Sequence, residues 1–252
     1  MRSRLGIEPK IKTTLETLDM LVDTENSLAR YGDGEFSLMM GMGIPFQDYD
    51  ANLAKRLREI VKLPPARVEV AIGRAFWCLR DKKVDLDNCS LRFAGRYGKQ
   101  LDKMIDYKRQ YWNAGVSQFY HGDFNIIVVG EMFEKAKLIW DKKDILLVCG
   151  ERTFSRLDYN VFDNAKSIDY IYGPSKNAWS NYSDLLKKTK ERALGRLVLI
   201  ILGPTATVMA ADLATCGIRA LDIGHIAKDY DFYKKRLPTK SLEDIVAFYS
   251  PD

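Results

Sequence analysis

The residues best suited to chemistry lie in the stretch Arg30-Tyr31-Gly32-Asp33-Gly34-Glu35-Phe36, where two carboxylates flank a glycine behind an apolar run. Asp33 and Glu35 are two positions apart, and Gly34 permits an unusual backbone turn that lets their side chains converge. Hard divalent cations such as Mn²⁺ or Mg²⁺ prefer carboxylate oxygens, often one or two of them beside substrate phosphates. Arg30 could pair with those acids or with a phosphate. The same residues also make an ordinary exposed Asp-Gly turn, followed by a first-turn glutamate that the helix dipole favours. Spacing alone leaves both readings open.

Other apolar runs end in the same way, in glycine followed by polar groups. They are Gly150-Glu151-Arg152-Thr153-Phe154-Ser155-Arg156, Gly173-Pro174-Ser175, Gly203-Pro204-Thr205-Ala206-Thr207 and Gly224-His225. Thr205 or Thr207 can cap a helix whose free amides would bind an anion. The segment has neither the lysine of a nucleotide-triphosphate loop nor the full dinucleotide glycine pattern, so it specifies neither ATP nor NAD. The planar forks of Arg152 and Arg156 suit phosphate, although surface ion pairs would use them equally well. His225 stands at a strand end, with Asp229 and Asp231 close behind as candidate bases or ligands. His121, the other histidine, has no comparable setting.

Positioning these groups requires strands and helices in alternation. Strands are predicted at Ser27–Tyr31, Val68–Ile72, Ile145–Cys149, Ile168–Tyr172, Leu197–Leu202 and Ala220–Ile223, and helices near Ala51–Val61, Tyr97–Tyr111, Glu131–Trp140, Ala178–Glu191 and Thr205–Cys216. This pattern predicts a single α/β domain with a mostly parallel sheet, helices on both faces and right-handed crossovers. Ligands in such sheets sit at the carboxyl ends of the strands, where all five glycine-led segments fall. Residues 75–130 are aromatic-rich and read as a lid or subdomain.

The bulk composition narrows the class. The chain has 252 residues, 46% hydrophobic and 29% charged, enough for a large core and too apolar for long disorder. The N-terminus lacks the apolar core of a signal peptide. The longest aliphatic run, Leu197–Leu202, is far short of the roughly 20 residues that span a bilayer. Cys78, Cys89, Cys149 and Cys216 are scattered with no C-x-x-C pair, which suits a reducing, cytoplasmic setting and no zinc site. A net charge of +5 permits an anionic ligand or an anionic membrane face without demanding nucleic acid. The clusters Lys187-Lys188-Thr189-Lys190 and Lys234-Lys235-Arg236 lack the interleaved aromatics of a single-strand binding surface.

Taken in order, "RYGDGEF", "GERTFSRL", "FDNAKSI", "GPSKNAW", "ILGPTATVMAADLA" and "ALDIGHI" resemble the bacterial glycosyltransferases of the GT-D fold, once catalogued only as a domain of unknown function. The resemblance runs from about residue 25 to 233. It implies a Rossmann-like domain that transfers a hexose from a UDP-sugar donor with a divalent cation, usually Mn²⁺, held by a D-x-E motif at Asp33 and Glu35. It places Arg30, Gly32, Ser155, Arg156, Ser175, Thr205, Thr207 and His225 near the nucleotide sugar, and Asp229, Asp231 and His225 as candidates for the base. The family commonly continues after Gly-His-Ile with an acid and then Glu-Tyr-Glu; this chain has Ala227-Lys228-Asp229-Tyr230-Asp231. Either aspartate would reach one methylene less far. The implied acceptor is a growing glycan on a surface protein, a lipid carrier or a polysaccharide repeat unit. A lipid-linked acceptor would fit peripheral contact between basic helix faces and anionic lipid.

Two other classes remain. The altered last block is compatible with a nucleotide-sugar-binding protein without turnover. "ALDIGH" also has the acid-plus-glycine form of an S-adenosylmethionine strand end, but no G-x-G accompanies it and no full α/β succession follows. Cation-dependent turnover of a UDP-sugar separates the first alternative, and S-adenosylmethionine binding the second.

Overall fold

The computed structural model describes residues 8–77, 89–121, 125–239 and 241–249. Its strands are β1 (Lys10–Ile11), β2 (Ser27–Tyr31), β3 (Val68–Ile72), β4 (Gln110–Asn113), β5 (Asp144–Gly150), β6 (Ser167–Gly173), β7 (Leu197–Ile201) and β8 (Ala220–Asp222). They form one eight-stranded sheet in the order β1-β4-β3-β2-β8-β7-β5-β6. Every neighbouring pair is parallel. The chain winds outward from β2 through β3 to β4 on one side and from β5 to β6 on the other. The carboxyl ends of β2, β8, β7 and β5 therefore lie side by side in the middle of one edge.

The sheet is buried on both faces because its strands are apolar at successive positions. In β5, Ile145 and Leu147 pack into one core, and Leu146 and Val148 into the opposite one. One face is covered by α1 (Thr14–Asp23), α5 (Ile126–Lys137) and α8 (Ile226–Lys235), through Leu18, Leu21, Phe133 and Tyr230. The other carries α2 (Asp33–Met39), α3 (Ala51–Ile60), α4 (Cys89–Met104), α6 (Tyr182–Arg192) and α7 (Pro204–Thr215). In α7 Pro204 to Ala211 are all buried, as expected of a helix that is apolar all round. A last helix, α9 (Leu242–Tyr249), packs its Phe248 ring against His121 and His225.

The predicted strands all appear within a residue or two of their expected ends. The largest difference lies between residues 75 and 130. There the helix ends at Met104, and Gln110–Asn113 pairs with β3 and β1 as a sheet strand. Only four residues long and preceded by Lys108 and Arg109, β4 shows too little of its apolar alternation to stand out. Its residues are thus part of the main sheet. Cys78 and Gly122-Asp123 lie outside the described residues.

Candidate active site

Arg30, the penultimate residue of β2, lies across the sheet edge. Its Nε donates to the Asp222 carbonyl at 3.0 Å and lies 3.4 Å from Asp222 Oδ1. Its Nη1 donates to the Ala114 carbonyl at 2.9 Å and to the Ser117 hydroxyl. Thr207 Oγ1 lies 2.9 Å from the Arg30 carbonyl and 3.2 Å from Asp222 Oδ2, so its single proton ties α7 to β2 or β8. The Gly224 amide donates to Asp222 Oδ1 at 3.1 Å. Gly224 has φ +45°, and a Cβ there would stand 1.9 Å from Arg30 Nη2. Glycine is required at that position by both backbone and space.

Asp33 opens α2 and Glu35 sits in its first turn. The Gly32 amide donates to Glu35 Oε2 at 2.7 Å, a backward reach that satisfies one free helix-end donor. Asp33 is exposed, and its Oδ1 accepts the Gly34 amide at 3.1 Å. Burial pushes the Glu35 carboxyl up to about 7; the Asp222 carboxylate adds to the rise, and the Gly32 amide and Arg30 oppose it. Asp222 is raised as well, chiefly by burial, despite Arg30 beside it. Two carboxyls in a low-dielectric site with too little positive charge fit a bound cation. No three His, Cys, Asp or Glu side chains among the described residues gather as a metal cage. An ion held by Asp33 and Glu35 would therefore complete its shell from ligand and water.

The other strand ends are more open. Arg152, Ser155 and Arg156 are exposed after β5, and Ser155 Oγ donates to the Arg152 carbonyl at 2.9 Å. Ser175, exposed after β6, closes on the β5 end: a Cβ on Gly150 would meet its Oγ at 3.1 Å. Gly203 turns into α7 with φ +52°, and the Phe46 ring occupies the space where a side chain would stand. Neither Thr205 nor Thr207 caps α7 as expected. Both face inward; Thr207 bonds as above, and the buried Thr205 hydroxyl has no partner. The loop before α3 straps this edge. Asn177, at φ 53°, donates to Asp48 Oδ2 at 2.8 Å and accepts the Asp48 amide at 2.7 Å, while Trp179 Nε1 donates to Asp50 at 3.0 Å.

The last block is arranged differently from the expectation. His225 precedes α8, half-buried against Phe248 and Tyr249 at ring-centroid distances of 5.5 and 5.3 Å. Burial, then the charges of Arg30, Lys228 and His121, push it down to about 3, so it is neutral near pH 7. Asp229 and Asp231 are two apart on a helix and cannot share a face. Asp229 accepts the Tyr120 and His121 amides at 2.9 and 3.2 Å and His121 Nδ1 at 2.6 Å. Asp231 accepts the Asp158 and Tyr159 amides at 2.9 and 3.1 Å and pairs with Lys235 at 2.7 Å. Each acid clamps a loop. Arg30, likewise, is engaged inside the protein rather than offered to a phosphate. The sequence reading passed over Asp222, Ser117 and His121. For Asp222 the signal was present, an acid closing an apolar strand two residues before a glycine.

A parallel sheet with charged groups gathered at its carboxyl ends is the arrangement of nucleotide-handling α/β proteins. Residues 28–244 match the family model of the glycosyltransferase GT-D fold, and the chain belongs to that family. It is 33% identical over 237 residues to glycosyltransferase GlyD of Streptococcus pneumoniae, covering 92% of this chain and 28% of that protein. A relative from Streptococcus gordonii is 34% identical over 222 residues, 87% of this chain and 32% of the relative. The chain thus spans about a third or less of the curated relatives it matches. Solved structures agree over far more of their length. One, of the highly conserved domain of unknown function 1792 with a distinct glycosyltransferase fold, superimposes with a TM-score of 0.84 at 32% identity, over 93% of this chain and 84% of that one. Another, a glycosyltransferase from Streptococcus sanguinis, gives 0.83 at 32% identity, over 91% and 86%.

Proposed function

We propose that this chain transfers a hexose from a UDP-sugar to a hydroxyl of a growing glycan on a surface glycoprotein or a polysaccharide repeat unit, with Mn²⁺ or Mg²⁺ held by Asp33 and Glu35. The observation that carries this reading is the pair of carboxyls, half-buried Glu35 and buried Asp222, both raised at the central strand ends next to exposed Asp33. Such a site gains from a cation, and a diphosphate supplies the remaining ligands. A cation bound there would neutralise charge that grows on the leaving phosphate as the glycosidic bond breaks.

The protein's own residues have separable tasks. Arg30, Asp222 and Thr207 fix the backbone at the ends of β2 and β8, and with it the position of α2. Exposed Arg152 and Arg156, with Ser155 and Ser175 beside them, bind and orient the nucleotide. Preorganised charge of this kind lowers the barrier because it needs no rearrangement at the moment of reaction. No helix among the described residues is long and apolar enough to cross a membrane, so contact with a lipid-linked acceptor would be peripheral. The engagement of Asp229 and Asp231 in loop clamps favours, as a second reading, a protein that binds a nucleotide sugar without turnover.

Calorimetry with UDP, with and without Mn²⁺, on the wild type and on Glu35→Gln tests the site. Micromolar binding that requires the metal and is lost in the variant supports it. Binding indifferent to metal and to the variant removes the cation from the reading.

A further inference from the structure

His121 and Asp229, 108 residues apart in the chain, form a dyad. The Asp229 carboxylate is fully buried and takes donors on both oxygens: the Tyr120 amide on Oδ2, and the His121 amide and Nδ1 on Oδ1. A carboxylate only accepts, so Nδ1 carries a proton, and in the neutral ring the lone pair lies on Nε2. Nε2 is buried and has no hydrogen-bond partner among the described residues; the side chain as a whole is 6% exposed. A buried polar nitrogen left unpaired calls for a functional account.

The dyad adjoins the site. The stretch from Ala114 to His121 begins with the carbonyl and hydroxyl that hold Arg30, and His121 lies against the same Phe248 ring as His225. Phe248 of α9 covers both rings, with its centroid 3.6 Å from His121 and 5.5 Å from His225. Tyr249 Oη accepts from Gln118 Nε2 at 2.8 Å and pins that cover in place.

Resting on the glycosyl-transfer reading above, we propose that His121 takes the proton of the acceptor hydroxyl, with Asp229 as its positioning residue and Phe248 as the cover that moves aside. In the step, the hydroxyl proton passes to Nε2 and the oxygen's electron pair bonds the anomeric carbon. The bond from that carbon to the diphosphate oxygen breaks, and its electrons leave with UDP. The imidazolium so formed is stabilised by Asp229, the base-and-orienter arrangement of many hydrolases. This assigns the proton transfer to a group with a free lone pair, whereas Asp231 is occupied by Lys235 and a loop.

Nitrogen-15 NMR of the intact wild-type chain at neutral pH tests the tautomer without substrate. The expected result is a proton on His121 Nδ1 and a bare Nε2, with the proton redistributed in Asp229→Asn. A protonated Nε2 in the wild type overturns the proposal. In transfer assays, His121→Asn is expected to lose about 100- to 10,000-fold in rate while UDP affinity stays unchanged. A wild type that transfers sugar beside an equally fast His121→Asn refutes this inference alone. A wild type that binds no UDP refutes the underlying reading as well.

Discussion

At the ends of β2 and β8, Arg30 is largely hidden and bonded to two carbonyls, a carboxylate and a hydroxyl, with a glycine cut away to admit it. At the end of β5, a strand away across β7, Arg152 and Arg156 stand in solvent on a loop of successive turns. The same side chain serves two purposes. A largely hidden guanidinium bonded through Nε and Nη1 fixes geometry. An exposed one fixes nothing and keeps its planar fork for a phosphate. On the proposed function, the molecule separates a rigid part from the part that binds the nucleotide.

The sharpest way to break that contrast is Asp222→Ala. It leaves Arg30 buried without its charge partner, and a loss of about 3–5 kcal/mol in denaturant unfolding is expected. A loss below about 1 kcal/mol would mean that water reaches Arg30 and that the rigid end is not rigid. Next comes pH. In the metal-free protein, between about pH 4.5 and 7, the folded chain keeps a proton on Glu35 that the unfolded chain has released. Stability contributed by this group therefore falls as pH rises through that window, by about 3 kcal/mol, and is flat above it. His225 has the opposite slope. The unfolded chain gains a proton below about pH 6.5 and the folded chain only near 3, so stability drops as pH falls between them. Thermal melts across pH should show Glu35→Gln losing the first slope and His225→Asn the second; unchanged slopes would show that other groups set them. The smallest effect on folding is expected from Arg156→Ala, within about 0.5 kcal/mol of the wild type, with UDP binding weakened about tenfold, or 1.4 kcal/mol. Destabilisation without loss of affinity would invert the comparison.

Much of this architecture was legible because the central strands are short, mostly apolar runs followed closely by glycine. Val68–Ile72 and Leu197–Ile201 are buried on both faces and could be little else. β4 was not legible, since Gln110-Tyr111-Trp112-Asn113 is too short to show a period and is recruited by its neighbours. In the site, Gly32, Asp33 and Glu35 could be placed at a strand end from local spacing alone. The roles of Asp229 and Asp231 could not, because their partners lie 109 and 73 residues away, at Tyr120 and Asp158. His121 was invisible for the same reason: its meaning comes from an acid on a helix more than a hundred residues later.

The pairing of Leu28 with Leu221 has a consequence for how the molecule comes into being. β2 can join β3 early, but its other neighbour is the last strand of the sheet. During synthesis the first half can collect its helices while Arg30 waits for Asp222, which emerges only when almost the whole domain has been made. Closing so long a loop delays the central contact. The two halves meet late, and the joint at which they meet is the one that holds the carboxylates.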